Sequence, residues 1–361
     1  MACFEDLPQE LVDYIVELAT PSFQLKRWDE RARTLNALCL TSKAFFRPAR
    51  RLLHREILVD KSSSLSALLS TRYGAVGTTG PARTSLLVID NLFRPDGWPS
   101  DEKDANIAQM AVLLDRLQPP KVAFRGAPIP LLSVVRGVTS LILDGCMHLE
   151  RPPVPYQCFQ ALTRLGIYCT EFRLDQPIFT SAAFPNLVTL ALGNTMYLPL
   201  GADNENDNFE LLSCREGHFP LLPQLRAASV QWTDGLVDSS PLAVLDTYLF
   251  GDATTLPRDF APSLKVLRLA RPSLSPSDMT LPSVLPLLSS PSFRPHLLEL
   301  HLIGFPLHNA ATSKVWSEIE AWCGANGVRL FKSNPDDLDD PLDLSFWRFL
   351  DGVKGRLGLN V

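Results

Sequence analysis

The stretch E-D-L-P-Q-E-L-V-D-Y-I-V-E-L-A at residues 5–19, with L-N-A-L-C-L-T-S-K-A-F-F-R-P-A-R-R-L-L-H-R-E-I-L at residues 35–58, decides how this chain begins to fold. Pro8 suits the start of a helix, because its missing N–H would have no partner there anyway. One apolar helical face follows, formed by Leu11, Ile15, Leu18 and Ala19. A second helix is predicted from about Thr34, and Ser42 is placed to cap a third.

Three short helices make a unit of about 50 residues, which buries too little apolar surface to be independent of its surroundings. Residues 20–33 (T-P-S-F-Q-L-K-R-W-D-E-R-A-R) separate the first two helices. They are predicted to form an exposed loop, since Pro21 interrupts a helix and the charges show no apolar period. The alternative is that residues 27–33 add helical turns ahead of the second helix. The sequence therefore indicates a small helical unit that packs against a partner.

This layout resembles the F-box, the motif by which substrate receptors dock onto the adaptor subunit of SCF-type ubiquitin ligases. The matching residues are Leu7-Pro8, Glu10-Leu11, Ile15, Leu40, Ser42-Lys43, Phe45 and Leu53-His54-Arg55. The resemblance covers about a sixth of the chain and implies adaptor contacts from Leu7, Pro8, Leu11, Ile15, Leu40, Lys43 and Phe45. The chain departs from the motif at residues 20–33, which make the first gap between helices longer than usual.

The composition is that of a folded chain with no overall affinity for nucleic acid. Of its 361 residues, 46% are hydrophobic and 20% charged, and the formal net charge is −5. No apolar run approaches the roughly 18 residues that cross a bilayer, so no membrane partner is expected. Glu5 and Asp6 stand where a signal peptide would carry basic residues.

The cysteines favour a reducing compartment, which means the cytoplasm or the nucleus. Seven cysteines are scattered without paired spacing, and no N-x-S/T glycosylation site occurs. All seven are expected to be free thiols, with Cys39 and Cys146 buried.

From residue 84 onward the leucine-rich template L-x-x-L-x-L recurs at irregular intervals. Copies start at residues 138, 162, 187, 225, 264 and 297, and weaker ones at 84 and 242. Separations between 17 and 38 residues accommodate a repeat of about 20–29 residues with insertions. The pattern predicts a horseshoe of short parallel strands, although unrelated half-buried strands would also produce it in a leucine-rich chain.

The predicted class is therefore α/β: an N-terminal three-helix F-box, then an irregular leucine-rich-repeat solenoid with a short-stranded parallel sheet. The expected divisions are residues 1–58 for the F-box, 59–83 for a connecting helix and linker, 84–335 for the repeats, and 336–361 for an acidic segment and capping helix. Helices are predicted at residues 65–69, 104–117 and 312–322. The proline-rich stretch 281–291 is expected to form single turns and extended chain.

No constellation of residues indicates catalysis, a cofactor or a metal. Cys146 and His148 have no second pair at ligand spacing, and the known short catalytic strings do not occur. The basic residues Lys43, Arg47, Arg50, Arg51 and Arg55 fall on one predicted helix with Phe45 and Phe46. A nucleic-acid recognition helix is one interpretation. A solvated face, or one that meets an acidic partner, is favoured because the first 60 residues are balanced in charge.

Strand alternation turns every second side chain of the repeats away from the core, onto the concave face. Tyrosine, tryptophan and arginine dominate binding surfaces, so a protein target is expected to contact Tyr168, Trp232, Tyr248, Arg268 and His301. Trp232 is the least regular of the five, since it begins the loop after its strand. Residues 203–208 are a possible rim loop. Ordinary solvated strand surface is the alternative.

An F-box followed by degenerate repeats is similar to the F-box/leucine-rich-repeat proteins, in particular the divergent fungal members whose motif ends R-x-L-L-x-R-x-I. The resemblance implies a non-catalytic substrate receptor of an SCF ubiquitin ligase, with the adaptor, the cullin scaffold and an unidentified target protein as partners. Two alternatives stay open: a repeat scaffold whose F-box has decayed or works outside ubiquitination, and an enzyme with an unrecognised site.

Overall fold

The structure is a computed structural model. It describes residues 7–21, 27–70, 84–90, 100–126, 135, 137–145, 159–168, 171–173, 184–193, 196–198, 224–231, 264–270, 281–289, 297–306 and 310–333.

Three helices open the described chain and share one small core. They are α1 (Gln9–Ala19), α2 (Trp28–Thr41) and α3 (Lys43–Arg55). The buried residues of this core are Val12, Val16, Leu35, Phe45, Ala49 and Leu52. Ser42 caps α3 as predicted, because its side-chain oxygen accepts a hydrogen bond from the Ala44 N–H at 3.0 Å.

Two details of this unit differ from the favoured prediction. Helix α2 begins at Trp28, so residues 28–33 are helical, as in the alternative for this segment. Asp29 and Glu30 lie in its first turn, where negative charge is favoured by the helix dipole. In α1 the buried residues are Val12 and Val16, whereas the leucine face named from the sequence points outward.

Twelve strands are described, ten of which form one sheet in which every neighbouring pair is parallel. The order is β1 (Glu56–Val59), β2 (Leu86–Asp90), β3 (Lys121–Arg125), β4 (Ser140–Asp144), β5 (Arg164–Tyr168), β7 (Thr189–Gly193), β9 (Ala227–Gln231), β10 (Val266–Ala270), β11 (Glu299–Ile303) and β12 (Arg329–Ser333). The strands β6 (Glu171–Arg173) and β8 (Met196–Leu198) pair separately. The α/β class and the parallel sheet are therefore confirmed.

The same pair of backbone hydrogen bonds recurs at the start of successive strands. The carbonyl of Thr139 accepts hydrogen bonds from the N–H groups of Thr163 and Arg164, at 2.9 and 3.1 Å. The carbonyl of Thr163 does the same for Val188 and Thr189, at 2.8 and 3.0 Å. The pattern continues at Val188, Arg226 and Lys265. Because the residues before these strands form the same hydrogen bonds to the neighbouring strand, the strands stay in register.

In strands such as β2, β4 and β10 the second and fourth residues enter the main core, whereas Lys332, at the fourth position of β12, is exposed. Four further helices contribute to this core: α4 (Ser62–Ser70), α5 (Ser100–Leu117), α6 (Leu281–Ser289) and α7 (Ala310–Asn326). In β4 the core residues are Leu141 and Leu143, and their register partners in β5 are Leu165 and Ile167. Helix α4 contributes Leu65 to the same core, and β1 contributes Ile57 and Val59. Residues 56–70, expected to divide between the F-box and a linker, thus pack as part of the sheet layer.

One helix was not predicted. Residues 281–291 were expected to be too rich in proline, yet α6 is an α-helix. Pro282 falls in the first turn, where no N–H partner is lost. The apolar residues Leu281, Val284 and Leu288 are buried in the main core, which offsets the interior proline at position 286. The structure also adds β3, which the leucine template did not match.

Several sequence predictions concern residues outside the described ranges. These are the weak repeat at residues 242–250, the possible rim loop at 203–208, and the acidic and capping segment at 336–361.

Glycine ends three of the strands in the left-handed backbone region. Gly126, Gly145 and Gly304 have φ of 62°, 58° and 78° and directly follow β3, β4 and β11. The N–H of Gly145 donates to the Tyr168 carbonyl at 3.0 Å, and the Gly126 N–H donates to the Asp144 carbonyl at 2.9 Å. The glycines therefore let the chain turn at the strand end, while their N–H groups add one more hydrogen bond to the neighbouring strand.

We expect Gly145→Ala to lower the free energy of unfolding by about 1 kcal/mol, since only the backbone conformation resists a side chain there. A Cβ at position 145 would lie 4.0 Å from its nearest neighbour. Gly324→Ala is the control: this residue lies inside α7, its Cβ would meet nothing, and helix propensity predicts a gain of up to about 1 kcal/mol. Urea unfolding of both variants measures the two effects, and equal signs would contradict the assignment.

Candidate functional site

Helix α1 carries a second apolar face that the three-helix core leaves exposed. Leu11, Tyr14 and Leu18 follow one another at spacings of three and four residues, so they share one side of the helix. All three are exposed, Leu18 to 68%. Val12 and Val16 are buried on the other side. A helix that is apolar on two faces has one face available for a partner.

The end of α2 and the start of α3 expose two further apolar side chains. Leu40, in the last turn of α2, is 89% exposed, and Phe46 in α3 is also exposed. A wholly exposed leucine alone is common on protein surfaces. Together with the α1 face, however, these residues concentrate most of the large exposed hydrophobics of the described chain in one small unit.

The seven residues predicted to meet an adaptor have three different environments. Pro8, Leu11, Leu40 and Lys43 are exposed. Leu7 and Ile15 are partly buried and pack against the three-helix core. Phe45 lies inside that core and is not open to a partner. Tyr14, Leu18 and Phe46 were not named as contacts, although the 11/14/18 spacing was readable in the sequence.

Ion pairs fix α1 on α3. Arg51 Nη2 lies 2.6 Å from Asp13 Oδ2, and Arg55 Nη1 lies 3.9 Å from Glu17 Oε1. Partial burial works to raise the pKa of Asp13, but hydrogen bonds from Arg51 and Gln9 outweigh it and hold the pKa below its usual range. The carboxylate therefore stays charged toward Arg51 well below neutral pH.

The three-helix unit is also tied to the sheet. Arg31 of α2 is buried, and its Nη2 lies 2.7 Å from Glu56 Oε2 on β1. The carbonyls of His54 and Arg55, at the end of α3, accept hydrogen bonds from the Thr84 hydroxyl and the Ser85 N–H. Since α3 ends at Arg55 and β1 begins at Glu56, the unit continues directly into the ten-stranded sheet.

The residues expected to hold a target on the concave face are not open to solvent. Tyr168, Arg268 and His301 lie on the strand face opposite the core, as alternation predicted, but they are only 4%, 8% and 7% exposed. Burial raises the pKa of Tyr168 above its ordinary value, so the phenol stays protonated. The expectation of exposed anchors is therefore wrong for these three. Trp232 and Tyr248 lie outside the described residues.

Polar contacts occupy this strand face instead. Glu299 is wholly buried, accepts from Arg329 Nη2 at 2.6 Å, and lies 3.1 Å from His301 Nε2. The His301 ring stacks on Phe331 with centroids 4.2 Å apart. Further along the sheet, Arg125 Nε lies 3.1 Å from Asp144 Oδ2. The Arg329–Glu299 and Arg125–Asp144 pairs each join neighbouring strands, which is a structural use of their charges.

Within the described ranges, no group of three or more His, Cys, Asp or Glu side chains is arranged to hold a metal ion. Cys39 and Cys323 are free thiols; Cys39 is half-buried, not buried as expected, and Cys323 is buried. Cys146 lies outside the described residues.

No known protein-family model matches the chain, and no curated protein is significantly similar to it. Among the described helices, none is long and apolar enough to cross a membrane. The site must therefore be interpreted from its own geometry.

Replacing Arg329 by methionine should lower the free energy of unfolding by about 2 kcal/mol, because the buried Glu299 carboxylate loses an ionic partner. Adding Glu299→Gln to this variant should recover part of the loss, since the remaining group is neutral. Urea unfolding of the two single variants and the double variant measures the coupling. Strictly additive effects would show that the pair contributes nothing specific.

Cys323 should resist alkylation in the native protein. Burial, with a smaller contribution from Glu320, raises the pKa of its thiol to about 11, so roughly one thiol in a thousand is ionised at pH 8. Iodoacetamide should therefore label it about a hundredfold more slowly than in urea-unfolded protein. Peptide-resolved mass spectrometry gives both rates, with the half-buried Cys39 as internal comparison. Labelling of native Cys323 at the unfolded rate would refute the prediction.

Proposed function

We propose that this chain is the substrate-recognition subunit of an SCF-type ubiquitin ligase, with its three N-terminal helices docked on the adaptor and the repeats holding a protein target. The observation that carries the proposal is the exposed apolar face Leu11, Tyr14 and Leu18, together with Leu40, on a unit whose own core is already filled. These positions include residues that match the F-box motif.

The energetics favour a protein partner for this face. Each large apolar side chain stabilises a contact by about 1.5–3 kcal/mol when it moves from water to a buried site. Burying Leu11, Tyr14, Leu18 and Leu40 against a partner is therefore favourable, whereas leaving them in water does not stabilise the unit. Large exposed apolar side chains that recur on one helix face, as Leu11, Tyr14 and Leu18 do, favour a protein–protein contact.

The connection between the helices and the sheet also fits a receptor. A substrate receptor has to hold its target at a fixed position relative to the ligase. Here α3 continues into β1, and the Arg31–Glu56 pair joins α2 to the same strand. The orientation of the three helices is thereby set by the sheet rather than by a linker.

The target contact is assigned to the repeat region but not to particular side chains. Tyr168, Arg268 and His301 are buried, so surface elsewhere on the repeats has to supply the contact in this conformation.

The second candidate is a non-catalytic repeat scaffold whose F-box has decayed or acts outside ubiquitination. The exposed leucines favour adaptor binding in either case, but only a ligase receptor brings the cullin and shortens the lifetime of a target. Affinity purification with and without proteasome inhibition separates the two, since a ligase target should accumulate on the chain when the proteasome is blocked.

The double variant Leu11→Asp/Leu40→Asp should abolish co-purification of the adaptor and the cullin. Both side chains are exposed, so the fold should survive, while loss of one central anchor commonly costs about 2 kcal/mol of binding free energy. Val112→Asp is the matched control, because Val112 is an exposed apolar residue on α5, outside the three-helix unit. Undiminished adaptor binding by the double variant, with the same thermal unfolding as wild type, would refute the proposed docking face.

A further inference from the structure

Helix α3 is unusually basic, and its cations fall on two sides. Between Lys43 and Arg55 the helix has five lysine and arginine residues and no acidic residue. One side faces α1, where Arg51 and Arg55 meet the carboxylates of Asp13 and Glu17. On this side the positive charge is balanced within the unit.

The outward side is different. Lys43, Arg47 and Arg50 recur at spacings of four and three residues, which places them on one face opposite the buried Phe45, Ala49 and Leu52. All three cations are exposed. In the described part of the chain, none of them forms an ion pair with a carboxylate.

An aromatic ring flanks this outward stripe. The Arg50 guanidinium carbon lies 5.6 Å from the centroid of the exposed Phe46 ring, a distance at which cation and ring attract each other. Arg50 Nε also donates to His54 Nε2 at 3.2 Å. Burial and the Arg50 charge lower the pKa of His54, so this histidine accepts as a neutral group and adds no charge.

We infer that the stripe Lys43, Arg47 and Arg50, with Phe46, receives an acidic segment of the adaptor, as an electrostatic contact separate from the apolar face of α1. This inference rests on the proposed function. Charge complementarity supports an acidic partner: the three exposed cations have no carboxylate partner in the described structure. Phe46 on the same helix is exposed, as is Leu40 three residues before the helix. The α1 side shows how carboxylates engage this same helix, at 2.6 and 3.9 Å.

A protein partner fits the stripe better than a nucleic acid does. The first 60 residues contain nine basic and nine acidic residues, and α1 places carboxylates along the neighbouring side of α3. A phosphate backbone would meet this negative charge as well as the three cations. It would also leave Phe46 and Leu40 without apolar contacts.

The test measures the association of the full-length chain with purified SCF adaptor, in wild type and in Arg47→Glu/Arg50→Glu. The variant should associate about tenfold more slowly at low salt, with much less change in the dissociation rate, because charges at a contact act mainly on the encounter. The wild-type rate should fall between about 50 mM and about 300 mM salt, and that of the variant should be nearly flat. Arg47→Gln/Arg50→Gln should give an intermediate rate.

Lys61→Glu/Lys314→Glu is the matched control, since it changes the net charge equally at two exposed lysines outside the three-helix unit. If the control slows association as much as the stripe variant, net charge is responsible and the inference is wrong. It is also wrong if the stripe variant keeps the wild-type rate and salt dependence, although the proposed function then stands. If wild type binds no adaptor at all, the proposed function fails and this inference with it. Binding of a short DNA duplex that depends on Arg47 and Arg50, without any change in adaptor kinetics, would assign the stripe to nucleic acid and overturn the inference.

Discussion

In-register parallel pairing is the constraint on which the rest of this structure depends. In strands such as β4, β5 and β10 the second and fourth side chains enter the core, and their neighbours face the other way. A slip of one residue in β10 would bring Arg268 into the core and expel Leu267 and Leu269. The paired hydrogen bonds to the carbonyls before β3, β4, β5, β7, β9 and β10, as at Thr139 and Thr163, oppose that slip at the point where these strands begin.

The same constraint explains why the N-terminal helices are held so firmly. Strand β1 is an edge strand of the sheet, and it begins where α3 ends. Its first residue, Glu56, pairs with the buried Arg31 of α2, and its core residues Ile57 and Val59 belong to the main core of the sheet. The boundary predicted at residue 58 therefore cuts through a strand. A unit that resembles a separate motif in sequence is continuous with the sheet in structure.

The sequence predicted the strands that have regular leucine spacing. It missed features that depend on contacts with other parts of the chain. L-x-L spacing located β4, β5, β7, β9, β10 and β11, since leucines alternate only when a face is buried. It missed β3, where Val122 and Phe124 fill the core positions that the template reserves for leucine. Its prolines argued against a helix at α6, but packing of its apolar residues in the main core stabilises one. The burial of Tyr168 and Arg268 depends on surrounding chain and has no local signal.

The apolar spacing of α1 predicts the wrong set of core residues. It predicts an inward face of Leu11, Ile15, Leu18 and Ala19, but Val12 and Val16 are the buried residues, and Leu11 and Leu18 are exposed. A helix with apolar residues at 11, 12, 15, 16 and 18 has two apolar faces, and a unit of this size can bury only one. Since α3 lies between α1 and α2, the buried face is the one that meets Phe45 and Ala49. The other face adds nothing to the internal core, which is the physical reason to look for its role in a contact outside the chain.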